Sequence, residues 1–151
     1  MCAKATTFTK TILLNSMSIS MDENEIVHVK YLSGQIIDVN EKNDELKANI
    51  EITNGQKHPF LFKFEPFVTI TKEAKEYSIK IELEQPYLAV AIVVDNLAYQ
   101  LMADFYFKFY KPKVAYKVFK SETKAIEWLV EIKNNPSLSE KYKNKKNFLL
   151  F

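Results

Sequence analysis

The stretch YLAVAIVVDNLAYQLMADFYFKFY, residues 87–110, decides how the rest of the chain is organised. Its first half is a continuous apolar run rich in β-branched residues, which is typical of a strand covered on both faces. Its second half repeats apolar residues at helical spacing. The predicted inner row of this helix consists of Leu97, Leu101, Phe105 and Phe109, with Ala98 and Met102 beside them. Asp95 and Asn96 stand between the halves as a candidate N-cap, so a buried strand should pass into a helix with almost no loop.

Length and composition indicate one globular domain. A chain of 151 residues, of which 47% are hydrophobic, can bury about 70% of its unfolded surface without disulfides or a metal. No apolar run approaches the roughly 20 residues of a membrane span, and the N-terminal apolar patch is shorter than a secretory signal requires. The single cysteine, Cys2, allows no internal disulfide. We therefore expect a cytoplasmic protein without an integral membrane segment.

The charge pattern argues against nucleic acids as ligands. All 21 basic residues are lysines, so the chain lacks arginine, the residue that reads guanine and clamps phosphate bidentately. The net charge is only +2, and the excess of lysine lies in residues 137–151, which leaves the body without a basic footprint. Gly34 and Gly55 are the only glycines, and both Gly-rich phosphate loops need several glycines close together.

Alternation and turn signals predict the first strands. Residues 1–14 are predicted as an N-terminal arm in preference to a strand. A β-hairpin follows, in which Met17, Ile19 and Met21 alternate with serines on the first strand and residues 26–31 form the second. Later apolar runs predict three further strands. These lie at residues 60–64, 87–94 and 114–119.

Four helices are predicted from their caps and apolar spacing. The first begins at Asp38, with Glu41 as its capping-box partner, and ends at Asn54. Its apolar stripe is Val39, Leu46 and Ile50. The second helix has Thr71 as its N-cap. Its inner face holds Ala74, Tyr77, Ser78 and Ile81. The third follows Asp95 and Asn96, and the fourth is capped by Ser121 and runs to about residue 133.

The predicted element order is ββαβαβαβα, in an α/β fold whose mixed, mostly parallel sheet is covered by helices. We predict one domain over residues 15–136, preceded by the arm at residues 1–14 and followed by a lysine-rich tail at residues 137–151. The tail ends in four apolar residues, 148–151. We expect it to be disordered or packed on the domain, in preference to contacting an anionic membrane surface.

Several segments between residues 25 and 133 carry a resemblance to a known fold. They are ITKEAKEY at residues 70–77, AVAIVVDNL at residues 89–97, KP at residues 111–112, and VF at residues 118–119 leading into EWL at residues 127–129. In these segments the chain resembles the STAS-like fold of anti-sigma-factor antagonists and sulphate-transporter cytoplasmic domains. It is more closely similar to a branch of small uncharacterised bacterial SpoIIAA-like proteins. The resemblance implies a regulatory domain that binds a protein.

The anti-sigma antagonists that the chain resembles carry a phosphorylated serine just after a strand, at the start of the next helix, in an Asp-Ser-Ser-Gly-like sequence. The equivalent residues 64–71 contain no such motif. Thr71 is nearest in position and Thr69 is a second hydroxyl, and the sequence does not decide whether either is phosphorylated. We expect Thr71 to act as an N-cap and Thr69 as a loop residue.

The sequence contains no catalytic or metal-binding motif, and we predict a protein that is not an enzyme and holds no metal or cofactor. His28 and His58 are the only histidines, and they belong to no HExxH motif or Cys/His cluster. Cys2 lies on the predicted arm, so it makes a poor nucleophile pair with either histidine. We expect both histidines to be ordinary solvated side chains.

The carboxyl end of the predicted central strand is one candidate site. Asp95 and Asn96 lie there, where open α/β sheets place their ligands. Glu65 and Ser121 are expected at the same edge of the sheet. The alternative for Asp95 is an N-cap whose oxygen accepts a backbone N–H, and we prefer this interpretation.

The aromatic end of the third helix is another candidate site. It holds Phe105, Tyr106, Phe107, Phe109 and Tyr110. These are more aromatic residues than one buried stripe can use. Packing in the core is the preferred interpretation, and a surface for a partner or an apolar ligand, completed by Phe67, is the alternative.

Two functions are compatible with these features. The first is a non-enzymatic interaction module that binds a protein partner or itself through the aromatic helix and the adjacent strand ends. The alternative is a carrier or sensor of a small apolar or amphipathic ligand held between that helix and the connection at Phe67. The candidate binding residues are Asp95, Asn96, Phe67, Thr71, Phe105, Tyr106 and Phe109.

Overall fold

The computed structural model describes residues 6–143, apart from the side chains of residues 108 and 109. Within this range the strands are β1 (Phe8–Leu13), β2 (Met17–Asp22), β3 (Val27–Tyr31), β4 (Ile36–Ile37), β5 (His58–Phe64), β6 (Thr69–Ile70), β7 (Tyr87–Val93) and β8 (Ala115–Phe119). The α-helices are α1 (Val39–Thr53), α2 (Lys72–Lys80), α3 (Leu97–Phe109) and α4 (Glu122–Asn134). Two 3-10 helices are formed by Glu82–Glu84 and Pro136–Tyr142.

Six of the strands form one sheet in the order β1-β2-β3-β5-β7-β8. The pairs β1–β2 and β2–β3 are antiparallel, whereas β3, β5, β7 and β8 run parallel to one another. The predicted order ββαβαβαβα is therefore confirmed as β2, β3, α1, β5, α2, β7, α3, β8 and α4. Each parallel pair is joined by a helix, as parallel strands require.

The predicted N-terminal arm was wrong for Phe8–Leu13, which form β1 along the outer edge of β2. Without β1, the backbone groups on that edge of β2 would lack partners in the sheet. The strand is mostly exposed, so it shows little of the apolar alternation by which a strand is recognised. Two further strands, β4 and β6, pair in parallel over only two residues each and are too short to leave a pattern.

The sheet buries both faces because its central strands place successive side chains on opposite sides. Phe60 of β5 and Val90 of β7 belong to the core beneath α1. Leu61 and Ala91, each the next residue along, belong to the core beneath α4. All four are at most 1% exposed, which agrees with the continuous apolar runs in the sequence.

Helix α1 begins and ends where the sequence predicts. Asp38 and Glu41 form the capping box, and Asn54 ends the helix in the left-handed conformation. The predicted apolar stripe is wrong at Ile50, which is 42% exposed. The inner face instead contains buried polar residues, which the apolar pattern could not indicate. They are Lys42, Glu45, Asn49 and Thr53.

Helices α2 and α4 confirm their predicted caps. The Thr71 hydroxyl accepts a hydrogen bond from the N–H of Ala74, and the Ser121 hydroxyl accepts one from the N–H of Lys124. After α4 the 3-10 helix packs on the domain, where the Tyr142 ring meets Trp128 edge-on at 5.1 Å between centroids. The apolar residues 148–151 lie outside the described residues.

Both histidines are buried, so the expectation of solvated side chains was wrong. His28 is 5% exposed and His58 is 8% exposed. His28 Nε2 lies 2.8 Å from Asp22 Oδ2, and His58 Nδ1 lies 3.0 Å from the backbone oxygen of Glu25. Each ring has one polar partner, His28 on β3 and His58 at the start of β5, as burial of an imidazole requires.

Among residues 6–143, no helix combines the length and apolar character of a membrane span. The same residues contain no group of three or more His, Cys, Asp or Glu side chains placed to hold a metal ion.

Candidate functional site

Helix α3 starts with Asn96 as its N-cap. Asn96 Oδ1 accepts a hydrogen bond of 2.9 Å from the N–H of Tyr99, which satisfies one of the free donors of the first turn. Asp95 is exposed and accepts a 3.4 Å contact from Asn96 Nδ2. The preferred interpretation of Asp95 as the N-cap was therefore wrong by one residue, because Asn96 supplies the capping oxygen.

The inner face of α3 is not the predicted row. Leu97, Leu101 and Phe105 are 68%, 57% and 67% exposed. The buried positions are Tyr99 and Phe107, and the remaining inward residues are Met102, Ala103 and Tyr106. The side chain of Phe109 lies outside the described residues. Apolar residues occur on almost every side of this helix, so their spacing alone does not fix which side faces inward.

A cavity lies between α3 and the sheet. Its volume is about 130 Å³, and it is partly open to solvent. Strands β3, β5, β7 and β8 contribute to its floor, and α3 and parts of α1 and α2 form its walls. Tyrosines dominate the lining. They are Tyr31, Tyr87, Tyr99, Tyr106, Tyr110 and Tyr116. Other aromatic and apolar lining residues include Phe62, Phe64, Val90, Ile92, Met102, Ala103 and Phe107.

An ion pair reaches the cavity wall through its lysine, Lys42. Lys42 Nζ lies 3.1 Å and 3.0 Å from the two carboxylate oxygens of Glu45 and donates a 3.0 Å hydrogen bond to the Tyr31 hydroxyl. Tyr31 in turn donates to Glu45 Oε1. Glu45 is 0% exposed and Lys42 is 7% exposed, so each charge depends on the other for compensation.

The hydroxyls of Tyr31, Tyr87 and Tyr116 have raised pKa values. Burial, together with the negative charge of Glu45, raises the pKa of Tyr31 and of Tyr87 well above the ordinary value. Burial and the neighbouring Tyr87 do the same to the pKa of Tyr116. These hydroxyls therefore remain protonated and can donate a hydrogen bond.

A second buried carboxylate lies at the α3 end of the site. Glu82 is 3% exposed, and it accepts hydrogen bonds from the Tyr110 hydroxyl and from the backbone N–H groups of Lys113 and Val114. Burial and the bond to Glu82 raise the pKa of Tyr110. Glu82 is thus committed to fixing the segment between α3 and β8.

Tyr99 connects α3 to the loop that follows β5. Its hydroxyl donates to the backbone oxygen of Glu65 at 2.8 Å and accepts from the N–H of Val68 at 3.0 Å. Between these two residues, Phe67 has a positive φ of 66° and is 85% exposed. The hydroxyl therefore satisfies backbone groups of a loop that has left the sheet.

The structure brings few of the predicted site residues together. Tyr106 lines the cavity, whereas Asp95, Asn96, Phe67, Thr71 and Phe105 are not among its lining residues. Thr71 instead caps α2 and donates to Asp38 Oδ1 at 2.8 Å, and Ser121 and Glu65 lie outside the lining. Sequence reasoning missed Tyr31, Lys42 and Tyr116. The one available signal was the abundance of tyrosine, with 8 in the chain.

The fold and the cavity define a single mixed α/β domain with an aromatic site between its sheet and one helix. The chain belongs to the family described as a domain of unknown function, DUF7793, whose model matches residues 19–133. No curated protein matches the chain.

One solved structure is similar over most of the chain. It is an uncharacterised protein of the DUF3478 family from Shewanella loihica PV-4, described as having a SpoIIAA-like fold. It is 13% identical, the match covers 85% of this chain and 98% of that one, and the TM-score is 0.48. The description of that protein names the same fold group as the sequence resemblance.

Proposed function

We propose that the protein binds a small, mainly apolar ligand in the cavity beneath α3 and acts as a carrier or sensor of that ligand without transforming it. The observation that supports this function is the cavity itself. A core of this size is normally close-packed, whereas about 130 Å³ is left open here among aromatic side chains. Pockets lined by apolar groups with a few polar ones are typical of small-molecule sites.

The cavity can be filled by substitution, which provides the test. Ala103 faces the cavity from α3, and Ala103→Leu would place three additional carbons in it. Ala98 is exposed on the same helix, so Ala98→Leu is the matched control with the same chemical change outside the site. Both variants are expected to fold, since neither forces a side chain into packed atoms.

Native mass spectrometry of freshly purified protein measures bound ligand directly. We expect an adduct of small mass on the wild type and on Ala98→Leu, and its loss from Ala103→Leu. Equal adducts on all three proteins would place the ligand elsewhere. The absence of any adduct, together with no thermal stabilisation by small apolar compounds, would contradict the proposal.

A second candidate function is the interaction module, in which α3 contacts a protein partner or another copy of the chain. The observation that favours it is the exposure of Leu97 and Leu101, at 68% and 57%. Isolated exposed apolar residues are common, but neighbours one helical turn apart form a continuous patch. The double variant Leu97→Lys/Leu101→Lys is expected to lower the mass measured by light scattering if the patch mediates self-association. A wild type that is monomeric at every concentration and captures no protein would argue against this function.

A further inference from the structure

We infer that the ligand is a compound with a single aromatic ring and an uncharged or anionic oxygen substituent, and that the site discriminates against cations. This inference rests on the proposed function, since it specifies the chemistry of the ligand in the same cavity.

The volume sets the size of the ligand. A dry apolar cavity of about 150 Å³ accommodates one benzene molecule. The present cavity, at about 130 Å³ and partly open, therefore has room for one ring whose substituent points towards the opening. A long acyl chain would have to leave most of its length in solvent.

The walls favour an aromatic ring. Rings already line the site in tilted pairs, with centroids 5.5 Å apart for Phe64 and Tyr99 and 5.5 Å apart for Phe107 and Tyr116. Aromatic rings prefer such arrangements at centroid separations of about 4.5–7 Å. An added ring would extend the same packing, whereas a flexible chain would meet rigid flat surfaces.

The tyrosine hydroxyls that face the cavity favour an oxygen on that ring. The hydroxyls of Tyr31, Tyr99 and Tyr110 donate hydrogen bonds to other groups of the protein. Within the described residues, the hydroxyls of Tyr87, Tyr106 and Tyr116 make no such contact. Among the described residues, none of these three hydroxyls is a fully buried atom without a partner, so they face the open space of the cavity and can donate to a ligand there. A phenol, alcohol, carbonyl or carboxylate oxygen on the ligand would accept from them, as protonated tyrosines can donate.

The charges disfavour a cation. Lys42 lies 5.7 Å from the centroid of the Tyr31 ring and 5.9 Å from that of Phe62, so it already takes the cation–π position in the wall. Glu45 is fully engaged by Lys42 and Tyr31. Lys75 adds a further positive charge to the lining. A cationic ligand would meet two lysines and no free carboxylate in the lining.

A charge series of one-ring compounds tests the inference by isothermal titration calorimetry on the full chain. The probes are benzyl alcohol, benzoate and benzylammonium, with octanoate as the linear comparison. We expect benzyl alcohol or benzoate to bind at least tenfold more tightly than benzylammonium and octanoate. Binding should be lost in Ala103→Leu and retained in Ala98→Leu.

The oxygen contact is tested with Tyr116→Phe, which keeps the ring and removes the hydroxyl. We expect affinity for benzyl alcohol to fall several-fold while that for toluene changes little, with thermal melts showing that the variant is folded. Equal affinity for benzylammonium, or no effect of Tyr116→Phe on benzyl alcohol, would overturn the inference. Binding of octanoate alone would also overturn it and leave the proposed function standing. Failure of every probe to bind, combined with the absence of a native adduct, would contradict both the inference and the proposed function.

Discussion

Lys42 and Glu45 place opposite charges on the buried side of α1. The pair lies at i,i+3 spacing, with Nζ 3.0 Å from Oε2. Removing one member of a buried pair leaves an uncompensated charge, whereas replacing both with apolar groups is often tolerated. The pair is therefore sensitive to single substitution.

Glu45→Gln is expected to reduce the free energy of unfolding by about 3–5 kcal/mol, because the Lys42 ammonium would remain buried without a carboxylate. The double variant Lys42→Met/Glu45→Leu should lie closer to the wild type than Glu45→Gln. Urea denaturation of both variants gives the comparison. The control is Glu51→Gln on the exposed side of α1, which should change stability by less than about 0.5 kcal/mol. A similarly small effect of Glu45→Gln would show that the pair is hydrated.

Asp22 gives the molecule a pH-dependent contribution to stability. Its burial raises the pKa, but the hydrogen bond with His28 and the N–H groups of Ile26 and Asn24 lower it more, so the net pKa lies below the ordinary value. A folded-state pKa below the unfolded one means that the folded state binds fewer protons. The stabilisation is therefore present above about pH 4 and is lost as the pH falls through the lowered pKa.

Asp22→Asn is expected to cost about 1–3 kcal/mol at pH 7, since it removes charge-assisted hydrogen bonds. The difference between this variant and the wild type should shrink as the pH falls below about 4. Denaturation curves between pH 7 and pH 2 measure it. Asp44→Asn makes the same charge change at an exposed position and should show a smaller difference throughout. A constant cost at all pH values would exclude the titration of Asp22 as its origin.

Residue patterns did not reveal these polar clusters. Charged side chains are rarely fully buried, so Lys42 and Glu45 were natural candidates for the solvent side of an otherwise polar helix. Their compensation depends on Tyr31 of β3, which lies 14 positions from Glu45 along the chain. Only the packing of α1 against the sheet brings these three side chains together.

At the level of elements, α3 shows where cap signals and apolar spacing disagree. Two adjacent residues, Asp95 and Asn96, can each cap a helix, and a shift of one position rotates the inward face by about 100°. The structure uses Asn96, which directs Tyr99 and Phe107 inward. The existence and length of α3 were predictable, whereas its rotation was not, because both sides carry large apolar residues.

Alanine substitution separates the two capping residues. Asn96→Ala is expected to cost about 0.5–2 kcal/mol, because the N–H of Tyr99 loses its acceptor. Asp95→Ala should cost less, since the Asp95 side chain accepts no hydrogen bond from a backbone N–H among the described contacts. Thermal melts of the two variants decide between the positions. A larger loss for Asp95→Ala would restore the original prediction that Asp95 is the cap.

For the whole molecule, the two faces of the sheet differ in how closely helices approach. Beneath α4 the sheet presents small residues, with Ala89, Ala91 and Ala115 all 0% exposed, and they form one buried cluster with the helix. Beneath α3 the floor carries aromatic side chains that hold the helix away and leave the cavity.

The fold class could be predicted because strands buried on both faces leave continuous apolar runs. The cavity could not, since it depends on the spacing between layers.

The same enlargement should therefore have opposite consequences on the two faces. Ala91→Leu is expected to destabilise the protein by about 1–3 kcal/mol, because the added carbons have no space beneath α4. Ala103→Leu should be nearly neutral or stabilising, since it fills an existing void. Urea denaturation of both variants provides the measurement. A severe loss in Ala103→Leu would show that the cavity side is also close-packed.

The hydroxyl of Tyr99 has a consequence for kinetics. Because it holds both Glu65 and Val68, α3 cannot move away from the sheet without breaking two hydrogen bonds, each worth about 0.5–1.5 kcal/mol. For the proposed ligand, we expect these bonds to slow the opening of the wall and to lengthen its residence time in the cavity. Tyr99→Phe keeps the ring and removes both bonds, so we expect association and dissociation to accelerate together, by roughly tenfold for a barrier lowered by about 1.4 kcal/mol. Stopped-flow measurement of ligand exchange should show both rate constants rising, while their ratio, the dissociation constant, changes much less.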